Sequence, residues 1–132
     1  MSESPNSIHS ANLIYENEIR FGPAYCRLEL NGQFLSDRLF GQKLKWSPCS
    51  TFLALEEWLT TEYVQGPQTR LFLINVEENA YSEFKQINKG FVKNVRFNND
   101  NIKYIKEFPA TGNGIEAEVE ISKIKNWCQL GL

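Results

Sequence analysis

The chain has 132 residues, 42% of them apolar and 23% charged, with a formal net charge of −2. That length and composition suit one domain with one core, and no run approaches the ~18 consecutive apolar residues of a membrane-spanning helix. The near-neutral charge argues against a broad footprint for duplex nucleic acid.

Residues 1–11 (MSESPNSIHSA) have neither a basic n-region nor an apolar h-region. They do not read as a secretory signal. Their small polar side chains predict a mobile tail ahead of a single β domain over 12–132. Without a signal the expected compartment is the cytoplasm, where Cys26, Cys49 and Cys128 would stay reduced. Cys26 and Cys128 are expected inside as small hydrophobes, and Cys49, in a turn, exposed.

Period-two alternation and turn residues recur along the rest of the chain. Residues 13–21 read as a strand stopped by Gly22-Pro23. Residues 24–30 alternate Ala24, Cys26, Leu28 and Leu30 against Tyr25, Arg27 and Glu29. Asn31-Gly32 then supplies the two positive φ values of a type I′ turn. Residues 33–40 return and Gly41 ends them. Residues 43–46 and 51–59 pair about the turn Ser47-Pro48-Cys49-Ser50, and Gly66-Pro67 breaks the chain before a strand at 69–76. Strands at 80–86 and 91–97, a turn at Asn98-Asn99-Asp100-Asn101, and strands at 102–108 and 115–121 follow. Residues 123–130 can be read as a strand or as a short helix.

The chain also echoes itself. With one residue gapped, Gly22-Pro23 with Arg27, Leu28 and Leu30 matches Gly66-Pro67 with Arg70, Leu71 and Leu73, a Gly-Pro offset of 66 − 22 = 44 residues. A second echo pairs Leu44-Lys45-Trp46-Ser47 with Val95-Arg96-Phe97-Asn98. Repeats of about 40–50 residues holding three or four strands mark propeller blades. The segment Trp46-Ser47-Pro48-x-Ser50-x-Phe52-Leu53-Ala54-Leu55 resembles the inner hairpin of a β-propeller blade. The resemblance implies an aromatic-Ser-Pro turn between two strands, the second highly apolar. Two to three such repeats cannot close a propeller of 4–8 blades. The expected fold is therefore all-β: an antiparallel meander of about eight to ten strands in blade-like sheets, as a partial propeller or a sandwich. Trp46, Phe52, Leu53, Leu55, Leu71, Leu73, Ile74 and Phe97 are expected in its core.

Catalytic and cofactor motifs are lacking in the sequence, so no enzyme, cofactor or metal is expected. His9 is the only histidine and lies in the predicted tail, where a general acid–base residue could not be held in place. No C-x-x-C pair occurs, and Gly112-Asn113-Gly114 has no following Lys-Ser/Thr for a phosphate loop. Glu116, Glu118 and Glu120 share one strand face, which reads as a solvated face. Lys85, Lys89, Lys93, Arg96, Lys103 and Lys106 alternate with Phe91, Phe97, Tyr104 and Phe108. That pattern suits single-stranded nucleic acid, but Phe97 and Tyr104 occupy core positions.

Charge is unevenly partitioned. Residues 51–84 hold six glutamates against Arg70 alone, a net of 1 − 6 = −5, whereas residues 85–132 hold eight basic and five acidic side chains, a net of +3. Acidic side chains around aromatic anchors suit a basic protein partner, the charges steering encounter and the aromatics supplying contact area. Glu56, Glu57, Trp58, Glu62, Tyr63, Glu77 and Glu78 are the candidate partner-binding residues. In overall character the chain resembles the small immunity proteins of bacterial toxin systems, which implies neutralisation of a basic toxin domain. The alternative is a structural module that self-associates, as a homodimer, through open sheet edges.

Overall fold

Turn chemistry decides where this chain reverses, and apolar alternation decides which face of each strand turns inward. The computed structural model describes residues 2–19, 22–35, 37–62 and 64–131. They form an almost wholly antiparallel β-structure with no closed barrel. The first half contains β1 (Ser2–Glu3), β2 (Ser10–Glu18), β3 (Ala24–Leu30), β4 (Gln33–Phe34), β5 (Leu39–Trp46) and β6 (Phe52–Trp58). The second half contains β7 (Gln68–Asn75), β8 (Ala80–Glu83), β9 (Ile87–Asn88), β10 (Phe91–Asn98), β11 (Asn101–Phe108), β12 (Asn113–Glu120) and β13 (Cys128–Gln129). One sheet has the order β1-β2-β3-β5-β6-β7-β8-β13, with β4 added to β3 and β9 to β7; the other is the meander β10-β11-β12.

The predicted turns are where the chain reverses. Asn31 and Gly32 both have positive φ, 50° and 82°, as the I′ geometry requires. Ser47 closes the β5–β6 turn: its hydroxyl accepts the Phe52 N–H at 3.0 Å and its N–H donates to the Phe52 carbonyl at 2.8 Å. The two Gly-Pro pairs immediately precede β3 and β7, so the sequence echo falls on equivalent strand starts.

Three local expectations differ from the structure. Residues 2–11 fold instead of forming a tail: β1 pairs with the start of β2, and Ser4 is buried. Hydrogen bonds do here what apolar burial could not. The Ser4 hydroxyl bonds Asn6 Oδ1 and accepts the His9 N–H, the Asn6 N–H reaches Ser50 Oγ at 2.9 Å, and Trp46 Nε1 donates to Ser2 Oγ. Gly41 does not end a strand but lies within β5, where the pairing with β6 slips between Phe40 and Leu44. An isolated glycine in a strand often marks such a bulge. Residues 123–130 are neither one strand nor one helix: Lys123 ends a 3₁₀ turn at Ile121–Lys123, and only Cys128–Gln129 form the short strand β13.

The core explains why β6 and β7 are apolar almost throughout. The large sheet curls, so Leu53, Leu55, Phe72 and Ile74 on one face meet Leu28, Leu30, Phe40 and Trp46. On the other face Ala54, Leu71 and Leu73 meet Val92, Ile102 and Tyr104 of the small sheet. Strands covered on both sides lose their polar alternation. Of the expected core residues, Phe52 and Phe97 are only partly buried, at the margin of the second cluster. The two sheets approach closely at Gly90: a Cβ there would clash with Ile87 Cγ2 and lie 2.9 Å from the Glu107 carbonyl oxygen.

Candidate functional site

The seven sequence candidates do not form one face. Tyr63 lies outside the described residues. Glu56, Glu57 and Trp58 are consecutive on β6, so they alternate between its two faces. Glu57 and Trp58 are buried, at 4% and 5% exposure. Glu62 is exposed in the β6–β7 connection, and Glu77 and Glu78 are exposed in the β7–β8 turn. Those two connections cap opposite ends of the eight-residue β7, about 25 Å apart at ~3.4 Å per residue. An antiparallel hairpin order thus separates what the linear charge count groups together.

Glu57 belongs instead to a closed ring of four charges on the inner face of the curl. It lies directly across from Arg70 in the β6–β7 pairing. Its carboxylate accepts from Arg38 Nη1 and from Arg70 Nε, both at 2.7 Å. Glu83 closes the ring, accepting from the same Arg38 nitrogen at 2.8 Å and from Arg70 Nη2 at 2.5 Å. The Arg38 guanidinium also lies over the rings of Phe72 and Tyr81, 4.8 and 4.6 Å from their centroids. Burial works against its charge, but the two carboxylates outweigh that and hold Arg38 protonated above its ordinary range. The ring is neutral overall and leaves no free carboxylate for a partner. Arg38 and Glu83 carry no local signal in the sequence, because their meeting depends on how the sheet curls.

Glu56, one residue earlier, faces the other way. It lies at the floor of a cleft of about 500 Å³ where β5, β6 and β10 diverge. Two bulges flank this cleft: the slip in β5 after Phe40, and a slip in β10 between Lys93 and Arg96 that includes Asn94 at φ 50°. Bulges cluster next to functional sites because they re-aim side chains and end pairing. The start of β10 is held by Glu56 itself, whose Oε2 accepts the Val92 N–H at 2.7 Å. A Cβ at Gly41 would lie 2.5 Å from Glu56 Oε1, so any larger residue there would push this carboxyl from its present place. Trp58 forms a wall, packed edge-to-face on Phe91 at 5.4 Å, with its buried indole N–H turned to the Glu56 carboxyl.

Burial pushes the Glu56 carboxyl up to about 7, with Glu107 adding to the rise; the Val92 N–H, Lys93 and Trp58 partly oppose it. The folded value lies above the unfolded one, so the fold binds a proton that the unfolded chain releases. Stability from this group is therefore present at low pH and lost as pH rises from about 4.5 to about 7. Glu56→Gln keeps an acceptor for Val92 and removes the charge. It is expected to stabilise the protein by about 2–3 kcal/mol near pH 8 and to have little effect near pH 4. Urea unfolding of both proteins across that range checks this; equal differences at both ends would refute it.

Glu116, Glu118 and Glu120 line the exposed face of β12 with Arg96, Asn101 and Lys123 beside them. Among the aromatics of the basic third, Tyr104 is buried and Phe97 and Phe108 pack against the second core, so these three are not stacking platforms. Cys26 is buried and its thiol is raised by burial. Cys128, expected inside, is exposed because β13 is the last strand of its sheet. Cys49 is exposed as expected; burial raises its thiol, but hydrogen bonds with Ser47 and Thr51 outweigh that and lower it. Among the described residues no three His, Cys, Asp or Glu side chains are placed to hold a metal ion, and no helix is long and apolar enough to cross a membrane.

The cleft could have been suspected from two signals. One is a lone glycine inside a strand pattern. The other is a Glu-Glu pair in a strand apolar on both faces, which must put one carboxyl on each side. No protein-family model matches the chain, and neither a curated protein nor a solved structure matches it.

Proposed function

We propose that this chain is a non-enzymatic binding protein that takes a basic strand of a protein partner onto the outer edge of β12. The open edge carries this reading. β12 is eight residues long, pairs among the described residues only with β11, and is exposed along most of its length. Such an edge offers unpaired N–H and C=O groups to an added strand. Glu116, Glu118 and Glu120 select what can be added. Two copies of β12 paired antiparallel would set the glutamate rows against each other, which is unfavourable, whereas lysine or arginine opposite them is favourable. Their present pairs with Arg96 and Lys123 are exposed at the surface; such pairs contribute about 0–1 kcal/mol each and yield readily to a competing cation. Neutralising a basic toxin domain, as the small immunity proteins do, is the activity that fits this edge.

The test uses a synthetic peptide of alternating lysine and valine. It is expected to protect β12 amides from hydrogen exchange and to bind more weakly as salt rises. Glu116→Lys with Glu118→Lys should weaken it at least about tenfold, about 1.4 kcal/mol. Unchanged affinity in that variant, or protection elsewhere, would count against the edge. A second reading, a homodimer, is favoured by β2. Only Ser10 and Ala11 of β2 pair with β1, and Tyr15 on the open remainder is 58% exposed. Sedimentation velocity as a function of concentration separates the two.

A further inference from the structure

The partner edge makes no use of the cleft over Glu56. We propose that this cleft is a second, independent binding site for a small organic anion, an apolar or aromatic body bearing one carboxylate, with the body against Trp58 and Phe91 and the carboxylate at Lys43 and Lys93. Its volume of about 500 Å³ falls within the 300–1,000 Å³ of small-molecule sites. Its chemistry is that of an amphipathic ligand: Val92 and Val95 add apolar wall, and three lysines line it. Lys43 and Lys45 come from β5 and Lys93 from β10, so the lysines lining this opening come from two sheets. Lys93 Nζ is positioned 5.4 Å from the Phe91 ring centroid. Among the described lining residues Glu56 is the only acid. A cation would meet that ring of lysines, and a bare inorganic anion would leave the aromatic walls unused.

Glu56 sets when the site is open to an anion. Ionised, its carboxylate repels a second carboxylate; protonated, it does not. The charged groups around it are Lys43 and Lys45 on β5, Lys93 on β10 and Glu107 on β11. With a carboxyl that titrates at about 7, the protonated fraction falls from about nine-tenths at pH 6 to about one-tenth at pH 8. Affinity for the anion therefore falls about tenfold over that interval, and binding on the alkaline side takes up one proton.

Titration calorimetry with 3-phenylpropionate and with its neutral primary amide tests the proposal. The acid is expected to bind, the amide at least about tenfold more weakly, and the acid's affinity to follow the pH dependence above. Glu56→Gln should bind the acid with a flat pH profile. Lys43→Ala with Lys93→Ala should lose about tenfold for the acid and nothing for the amide. Four outcomes would overturn the site: no binding of the acid at either pH, an amide that binds as well as the acid, acetate that binds as well as 3-phenylpropionate, or a pH dependence that survives in Glu56→Gln.

Discussion

Replacing Glu57 by alanine is expected to destabilise the fold by about 3–5 kcal/mol, because removing one partner of a buried ion pair leaves the others uncompensated. Glu57 is the most buried member of its ring, with 5% of its side chain exposed, against 19% for Arg38, 22% for Arg70 and 33% for Glu83. Its loss leaves two guanidinium groups sharing Glu83. Because both arginines keep some contact with water, the lower part of the range is expected. Equilibrium urea unfolding measures it, and the same experiment with added salt discriminates further. A ring held this far inside is screened weakly, whereas the exposed Arg96–Glu116 pair should respond to salt in full. A loss below about 1 kcal/mol would mean that the ring behaves as a set of surface pairs. A double-mutant cycle of Glu57→Ala and Arg70→Ala then isolates the pair, and a coupling energy of about 1–3 kcal/mol is expected for residues in one network.

Phe72→Ala is expected to cost a similar amount, about 3–5 kcal/mol, for a different reason: the side chain is fully buried and no neighbour can fill its space. Phe72 is the centre of an aromatic stack, edge-to-face on Phe40 at 5.3 Å and stacked on Tyr81 at 5.1 Å. It also forms part of the platform beneath Arg38. Phe72→Leu restores most of the volume without the ring, so the difference between the two variants reports the aromatic and cation contribution. That difference is expected to leave Phe72→Leu costing about 1–2 kcal/mol. If both variants cost the same, the ring has no role beyond filling space. Because Arg38 lies over Phe72, Phe72→Ala and Glu57→Ala should combine to less than their sum.

The fold class was legible in the sequence because it depends on local chemistry. Asn31-Gly32 accepts two left-handed residues, Ser47 closes its own turn, and alternation over 24–30 and 115–121 marks strands with one face inward. These preferences act over two to eight residues and survive whatever surrounds them. Local rules failed where hydrogen bonds over distance took over. The polar N-terminal segment is ordered by Ser50 and Trp46, over 40 residues away in sequence, and Gly41 serves a bulge beneath Glu56, not a strand end.

Glu56 and Glu57 show where the sequence stops deciding. As neighbours in a strand they must face opposite sides, and that much follows from period two alone. Their chemistry does not. Glu57 meets Arg70 across the β6–β7 pairing and Arg38 because β5 pairs with β6 on its other side. Glu56 meets the Val92 N–H because the small sheet packs across the other face. Two identical side chains thus become an ion-paired carboxylate and an acid that titrates at about 7. Electrostatic environment is set by which charges and dipoles lie within a few ångströms. In a β-meander those neighbours are assembled by sheet curvature and sheet-on-sheet packing, so only the tertiary structure could decide them.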